Sequence, residues 1–182
     1  DFIHAVNERL CRLCDKALES SLPQFKLDFV GYHEDMAFKN GPLISPALFR
    51  EFMTPYYKRI QAVTKPHGID IHYMDSDGDI RQLIPLWLEC GINAFAPMEV
   101  AAGMDVVAIR KEYGKSVRML GGFDKRILAS TPARIRQELE RIRPVIEGGG
   151  YVPGCDHGVP PDVSFENYSA FINGLKSLYG VR

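Results

Sequence analysis

Residues 69–91 read IDIHYMDSDGDIRQLIPLWLECG, and their order of apolar and acidic residues decides the fold. The first part is a short apolar-rich run that predicts a β-strand, and the acids Asp75 and Asp77 follow it directly. The remainder predicts a helix that starts at Ile80 and ends before Gly91, a residue type that is common just after helices. The stretch is therefore one strand–helix unit with carboxylates at the end of the strand.

The same unit recurs along the whole chain. After a predicted helix over residues 1–20, strand segments alternate with helical segments. Because no hairpin turn signals separate the strands, we expect parallel strands joined by crossover helices in a single α/β domain over residues 1–182. The predicted strands are 27–32, 69–74, 92–96, 117–120 and 151–153. The predicted helices begin at Pro46 and again after Pro55, and then span 80–90, 104–113, 131–146 and 165–178.

Composition excludes several functional classes. Of the 182 residues, 46% are hydrophobic and 25% are charged, and the net charge is -1. A protein that binds nucleic acid or anionic membranes needs a basic face, so neither partner is expected. No apolar run approaches the roughly 20 residues that span a bilayer, and no secretory signal pattern opens the chain. Four cysteines are too few for a disulfide framework, so a cytoplasmic location is predicted.

Five parallel strands are too few to close an eight-stranded barrel. An open sheet with helices on both faces is one arrangement that could bury them. Part of a barrel is the other, and its exposed strand edges and apolar face would favour self-association into a homo-oligomer. The chain starts abruptly in a helix, so we expect either that it is part of a longer protein or that neighbouring chains supply the missing surface.

Polar residues follow every predicted strand. In parallel α/β folds the carboxyl ends of the strands share one edge, where sites are built. Asp75 and Asp77 could hold a cation together, or one could act as an acid while the other stays ionised. His157 could bind a metal or transfer protons near neutral pH, and Cys155 could supply a thiolate ligand. The acids at the other strand ends are Glu34, Asp35, Glu99 and Asp124.

Each of these residues also has a structural interpretation. Aspartate is a common helix N-cap, and a histidine such as His157 can be buried without a catalytic role. The DSDG segment resembles the start of a calcium loop, but Leu86 stands where that loop requires its last carboxylate. Cys11 and Cys14 form a C-x-x-C pair within a predicted helix, with no further ligands nearby in the sequence. Acidic residues nevertheless follow each of the predicted strands, and this repetition favours a shared site.

Five ordered motifs resemble the uroporphyrinogen-decarboxylase-like family over nearly the whole chain. They are EDMAFKNGPLISPALFREF (34–52), DSDGDI (75–80), PMEVAAGMD (97–105), GGFDK (121–125) and PGCDHGVPPD (153–162). The fold of that family is a (β/α)8 TIM barrel of about twice this length. The resemblance therefore implies the C-terminal portion of such a barrel, without roughly its first three strands.

The resemblance implies an enzyme, and the family has two activities. One removes carboxyl groups from the acetate side chains of uroporphyrinogen in porphyrin biosynthesis, without a cofactor. The other moves a methyl group between a corrinoid protein and a thiol or folate, and its thiol-methylating members use zinc. The implied ligand is a tetrapyrrole, a corrinoid or another small molecule, and the implied partner is a corrinoid protein.

The match to the two branches is uneven. His157 resembles the histidine that lines the tetrapyrrole cleft of the decarboxylases, but their arginine-rich segment and catalytic aspartate belong to the part that this chain lacks. The zinc methyltransferases carry H-x-C where this chain has Asp75-x-Asp77, and two carboxylates make a harder metal site. The DSDG variant resembles members that are linked to corrinoid-dependent demethylation.

We therefore expect part of a corrinoid-linked methyltransferase. A tetrapyrrole decarboxylase and a non-catalytic module that associates with itself or with a corrinoid carrier are the alternatives. The predicted catalytic residues are Asp75, Asp77 and His157, which together with Cys155 are also the predicted ligands of a divalent metal such as zinc. The predicted substrate-binding residues are Glu34, Asp35, Glu99 and Asp124.

Overall fold

The computed structural model describes residues 2–180 and has the predicted α/β class. The strands are β1 (Phe29–His33), β2 (Ala37–Phe38), β3 (Gly41–Pro42), β4 (Ile71–Asp75), β5 (Ala94–Ala96), β6 (Arg118–Phe123) and β7 (Tyr151–Cys155). The helices are α1 (Phe2–Ser21), α2 (Pro46–Phe52), α3 (Thr54–Thr64), α4 (Ile84–Glu89), α5 (Val106–Tyr113), α6 (Lys125–Leu128), α7 (Pro132–Glu147) and α8 (Phe165–Tyr179). The longer strands form a five-stranded parallel sheet, hydrogen-bonded in the order β1, β4, β5, β6, β7.

The chain divides into two compact units, Asp1–Ala94 and Phe95–Arg182. Each unit has its own pair of parallel strands, β1 with β4 in the first and β6 with β7 in the second. Strand β5 begins in the first unit and ends in the second. The single domain expected from the sequence therefore stays a prediction.

The two faces of the β1–β4 pair differ in burial, as alternating side-chain directions along a strand require. His72 and Met74 are buried on the face that packs against α3, where the Thr64 hydroxyl oxygen lies 3.2 Å from the His72 ring nitrogen Nε2. On the other face Phe29 is 57% exposed, and His33 is exposed as well. This unit thus covers only one face of its strands with helices.

Helix α1 carries apolar residues that its own unit leaves uncovered. Arg59 of α3 forms ion pairs with Glu8 and Asp15 of α1, at 2.9 and 2.5 Å, and these hold the two helices together. Leu10 and Leu13 on another side of α1 are exposed. Uncovered apolar surface was expected for part of a barrel, but self-association stays a prediction. Neither α1 nor any other helix within residues 2–180 is long and apolar enough to cross a membrane.

In the second unit α7 and α8 supply the core that supports β6 and β7. The rings of Phe123 in β6 and Phe171 in α8 are both buried, with centroids 4.5 Å apart. Helix α7 begins as its sequence predicts, because the Thr131 hydroxyl accepts a hydrogen bond from the Arg134 amide. Asn167 of α8 donates to the Leu128 carbonyl at 3.0 Å and ties α8 to the end of α6. The Thr131 cap thus sets the start of α7, and the Asn167 hydrogen bond and the Phe123–Phe171 contact hold α8 against the rest of the unit.

Two local expectations were wrong. The chain does contain a hairpin, because β2 and β3 pair in antiparallel fashion around Lys39 and Asn40, and Gly41 supplies the positive φ of 114° after the turn. The helix predicted from Ile80 starts only at Ile84, after a turn. Pro85 lies in its first turn, the helical position that best tolerates a residue without an amide proton.

Gly121 gives a test of how closely the backbone segments of the second unit approach one another. Its φ is +86°, and a Cβ atom at this position would collide with the Pro97 carbonyl oxygen. Strain and overpacking together predict that Gly121→Ala lowers the free energy of unfolding by roughly 2–4 kcal/mol. Urea denaturation measures the change. Gly158→Ala is the control, since a Cβ atom added there would have nothing within 4 Å, and equal losses in both variants would contradict the prediction.

Candidate functional site

His33 lies between two carboxylates at the carboxyl end of the β1–β4 pair. The parallel register pairs His33 with Asp75, the last residues of their strands. The ring nitrogen Nδ1 of His33 is 3.4 Å from Asp75, and Nε2 is 3.7 Å from Asp35. All three side chains are well exposed, so this imidazole can exchange a proton with solvent or with a ligand that binds beside the two carboxylates.

Asp35 also fixes the loop that carries Asp77. The Asp77 amide donates to the Asp35 carboxylate at 3.0 Å, and the Met36 amide donates to the Ser76 hydroxyl at 3.1 Å. Asp35 itself has a φ of 47°, a conformation that aspartate adopts more readily than most residues. The loops after β1 and β4 are therefore locked to each other. In the first unit Asp35, Asp75 and Asp77 therefore lie close together, and the site roles predicted for them stay predictions.

Glu34 does not join this group. It is the next residue after His33, so alternation sends its side chain to the opposite face, into an apolar pocket beside Tyr32 and Tyr57. Burial there raises the pKa of the Glu34 carboxyl, although the neighbouring Tyr57 hydroxyl partly opposes that shift. The role predicted for Glu34 in binding the same substrate as Asp35 stays a prediction, while its position indicates a separate environment.

A buried carboxylate, Asp156, holds the strand-end loops of the second unit. Asp156 is 0% exposed, and its two oxygens accept hydrogen bonds from the Val100 and Lys125 amides, both at 3.1 Å. Its own amide donates to the Phe123 carbonyl at 3.0 Å. One side chain therefore connects the loop after β5, the loop after β6 and the end of β7.

Two potential metal ligands lie on these loops. A carboxylate oxygen of Glu99 and a ring nitrogen of His157 are within 4.8 Å of each other, and both residues are partly buried. An oxygen and an imidazole nitrogen at this separation can bind one divalent cation. Cys155, the last residue of β7, is also partly buried, and burial raises the pKa of its thiol. Without a cation, the neutral thiol is therefore favoured at Cys155.

Asp124 is a helix N-cap, which is the structural role that the sequence also allowed for it. Its carboxylate caps α6 by accepting the Arg126 amide at 2.8 Å, and it forms an ion pair with the Arg126 guanidinium, also at 2.8 Å. Since both carboxylate oxygens are engaged in this way, Asp124 orders the loop after β6. Its predicted role in binding substrate stays a prediction.

Sequence reasoning selected neither His33 nor Asp156 as a site residue. Both lie in the polar clusters that end predicted strands, so a weak signal was present. The role of each residue, however, depends on contacts that a sequence does not show. His33 acquires its partners through the β1–β4 register, and Asp156 through amides 56 and 31 residues away.

Asp156→Ala should destabilise the second unit. The substitution leaves the Val100 and Lys125 amides, whose hydrogen bonds to Asp156 are partly buried, without these acceptors, which costs roughly 2–4 kcal/mol in the free energy of unfolding. Urea denaturation is the measurement, with Asp162→Ala as a control at an exposed aspartate. A loss no larger than that of the control would show that these hydrogen bonds are unimportant.

Glu34→Gln should stabilise the protein in a pH-dependent way. Because burial raises the pKa of Glu34, the neutral carboxyl favours folding below the ordinary pKa of glutamate, and that contribution is lost as the pH rises through the folded-state pKa. Glutamine stays neutral throughout. The melting temperature of the variant should therefore rise relative to wild type as the pH increases from acid to neutral. Exposed Glu51→Gln should show no such trend. A pH-independent difference for Glu34→Gln would contradict the assignment.

Comparisons with known proteins place the chain in a family. The model of the family described as "Uroporphyrinogen decarboxylase (URO-D)" matches residues 28–178. The uroporphyrinogen decarboxylase of Pseudoalteromonas translucida is 29% identical over 180 residues, which is 91% of this chain and 46% of that protein. The enzyme of the same name from Chlorobaculum tepidum is 26% identical over 70% of this chain and 37% of its own length. The chain thus spans less than half the length of these curated relatives.

A solved structure described as a methyltransferase from Methanosarcina mazei shares the fold. It aligns with a TM-score of 0.57 and 19% sequence identity, over 84% of this chain and 42% of that chain. At this identity the similarity concerns the fold alone. The family model, in contrast, matches well over half of the sequence. This chain therefore belongs to the uroporphyrinogen decarboxylase (URO-D) family.

Proposed function

We propose that this chain is the C-terminal part of a corrinoid-linked methyltransferase, which moves a methyl group from a methylated corrinoid protein to a thiol or folate acceptor. The observation that carries the proposal is the Glu99–His157 pair, which has the separation and the chemistry of two ligands to one cation. Decarboxylation of uroporphyrinogen needs no cofactor, so a metal-binding pair favours the other activity of the family. A cytoplasmic location is part of the same proposal.

The donor set fits a divalent metal of intermediate hardness. Carboxylate oxygen and imidazole nitrogen suit zinc, manganese or iron, whereas a softer site would need thiolates. Cys155 lies two residues before His157 and could add one sulfur ligand, which would lose its proton on binding the cation. A bound cation would supply positive charge that lowers the pKa of an acceptor thiol, so that the thiolate is available for methylation.

In this proposal Asp75 and Asp77 are further metal ligands or groups that orient the acceptor. They end β4 and begin the loop after it, and parallel strands present their carboxyl ends at a common edge. His33 lies 3.4 Å from Asp75 and can hold or pass on the proton that the acceptor releases. A methylated corrinoid on its carrier protein would supply the methyl group as a methyl cation equivalent, and the acceptor sulfur or nitrogen would supply the electron pair of the new bond.

Tetrapyrrole decarboxylation is the second candidate, because curated relatives that cover most of this chain are uroporphyrinogen decarboxylases. His157 would then contact the tetrapyrrole, as the resemblance of its segment to the decarboxylases implies. The two candidates differ in a direct assay of the complete enzyme. Methyl transfer consumes a methylated corrinoid and alkylates a thiol or folate, whereas decarboxylation releases carbon dioxide from uroporphyrinogen.

Asp77→Ala in the complete enzyme should reduce methyl transfer by about a hundredfold or more while leaving the circular dichroism spectrum unchanged. The reason is that the proposal makes this side chain, in the loop after β4, a metal ligand or a group that orients the acceptor. Asp28→Ala is the matched control, an exposed aspartate before the amino end of β1. Wild-type rates of methyl transfer in Asp77→Ala would remove Asp77 from the proposal. Carbon dioxide release from uroporphyrinogen without methyl transfer would favour the second candidate.

A further inference from the structure

A cavity of about 250 Å³ lies within the first unit, between α1, α3 and the end of β1. It is distinct from the cluster of His33, Asp35 and Asp75, which belongs to the other face of β1. Most of its wall is apolar or aromatic, with Leu10, Met53 and Ile60 among the aliphatic residues. Its one acidic group is the Glu34 carboxyl.

Three tyrosine rings line this cavity, those of Tyr32, Tyr56 and Tyr57. The Tyr32 and Tyr57 rings meet edge to face, with centroids 5.6 Å apart at an angle of 88°, so their orientations differ by a right angle. Tyr57 is 3% exposed, and its hydroxyl neighbours the Glu34 carboxyl, whose pKa it lowers against the effect of burial.

A hydrogen-bond relay limits what Tyr32 can offer to a ligand. The Thr64 hydroxyl donates to the Ile60 carbonyl at 3.0 Å, so it accepts from Nε2 of His72 at 3.2 Å. Nδ1 of the neutral His72 ring then accepts from the Tyr32 hydroxyl at 3.0 Å, and burial lowers the pKa of His72, which favours this neutral state. With its proton committed, Tyr32 offers only its oxygen lone pairs and its ring face.

We propose that this cavity binds a small organic ammonium ion with apolar substituents. A carboxylate supplies the counter-charge, tyrosine faces attract the cation, and the aliphatic wall contacts its substituents. Burial raises the pKa of Glu34, and a cation bound beside it would favour the ionised carboxylate. This site does not depend on the proposed methyl transfer.

The test compares a cation with its neutral isostere. Equilibrium dialysis of the 182-residue chain against radiolabelled choline should show saturable binding of one choline per chain. The alcohol 3,3-dimethylbutan-1-ol has the same shape without the charge, and it should compete at least about tenfold more weakly. Because this comparison uses only the wild-type protein, it does not depend on whether a variant folds.

Substitutions of residues that line the cavity test whether choline binds there. Glu34→Gln should weaken choline binding by about tenfold or more, whereas exposed Glu51→Gln, with the same loss of charge, should match wild type. Leu10→Trp should also weaken binding, since Leu10 lines the cavity and its exposure allows the larger side chain without repacking of the core. The proposal is overturned if no saturable binding occurs up to about 10 mM, if the neutral alcohol competes equally, or if Glu34→Gln binds like wild type.

Discussion

Parallel pairing of strands is the constraint on which the rest of this structure depends. In the first unit it sets His33 beside Asp75, and in the second it sets Phe123 beside Cys155. Antiparallel pairing would have sent the residues that follow neighbouring strands to opposite ends of each pair. Because crossover helices enforce the parallel arrangement, polar residues that follow different strands become neighbours without any nearby partner in sequence.

Loops at strand ends are held rigid by polar atoms that are themselves buried or engaged. Asp156 binds amides of two other loops, Asp35 binds the Asp77 amide, and Asp124 binds Arg126. Such fixed loops can present Glu99 and His157 to a cation with little loss of conformational entropy on binding. Carboxylates in this fold thus have a clear part in positioning the loops at the strand ends.

The alternation of side chains along β1 gives the first unit two separate chemical environments. His33 belongs to the exposed acidic cluster, whereas its neighbour Glu34 enters an aromatic pocket next to α1 and α3. His33 is in contact with solvent, whereas burial raises the pKa of the Glu34 carboxyl. These two adjacent residues lie in different environments because successive side chains along a strand point to opposite faces.

Much of the fold could be predicted from the sequence, because strand and helix periodicities are local properties. The starts of α7 and α8 and the position of β4 follow from such patterns. The β2–β3 hairpin and the late start of α4 were missed, although Asn40-Gly41 is a local turn signal and Pro85 a local signal for the first turn of a helix. Within the site, the sequence identified acids by their place after strands, but the positioning role of Asp156 depends on contacts far along the chain.

The most direct test of metal binding by the second unit is a crystal structure of the complete enzyme soaked in zinc, with anomalous difference data collected at the zinc edge. A metal site predicts a peak about 2.0–2.2 Å from a carboxylate oxygen of Glu99 and from a ring nitrogen of His157. Strong anomalous peaks elsewhere, with none at this pair under saturating zinc, would contradict it.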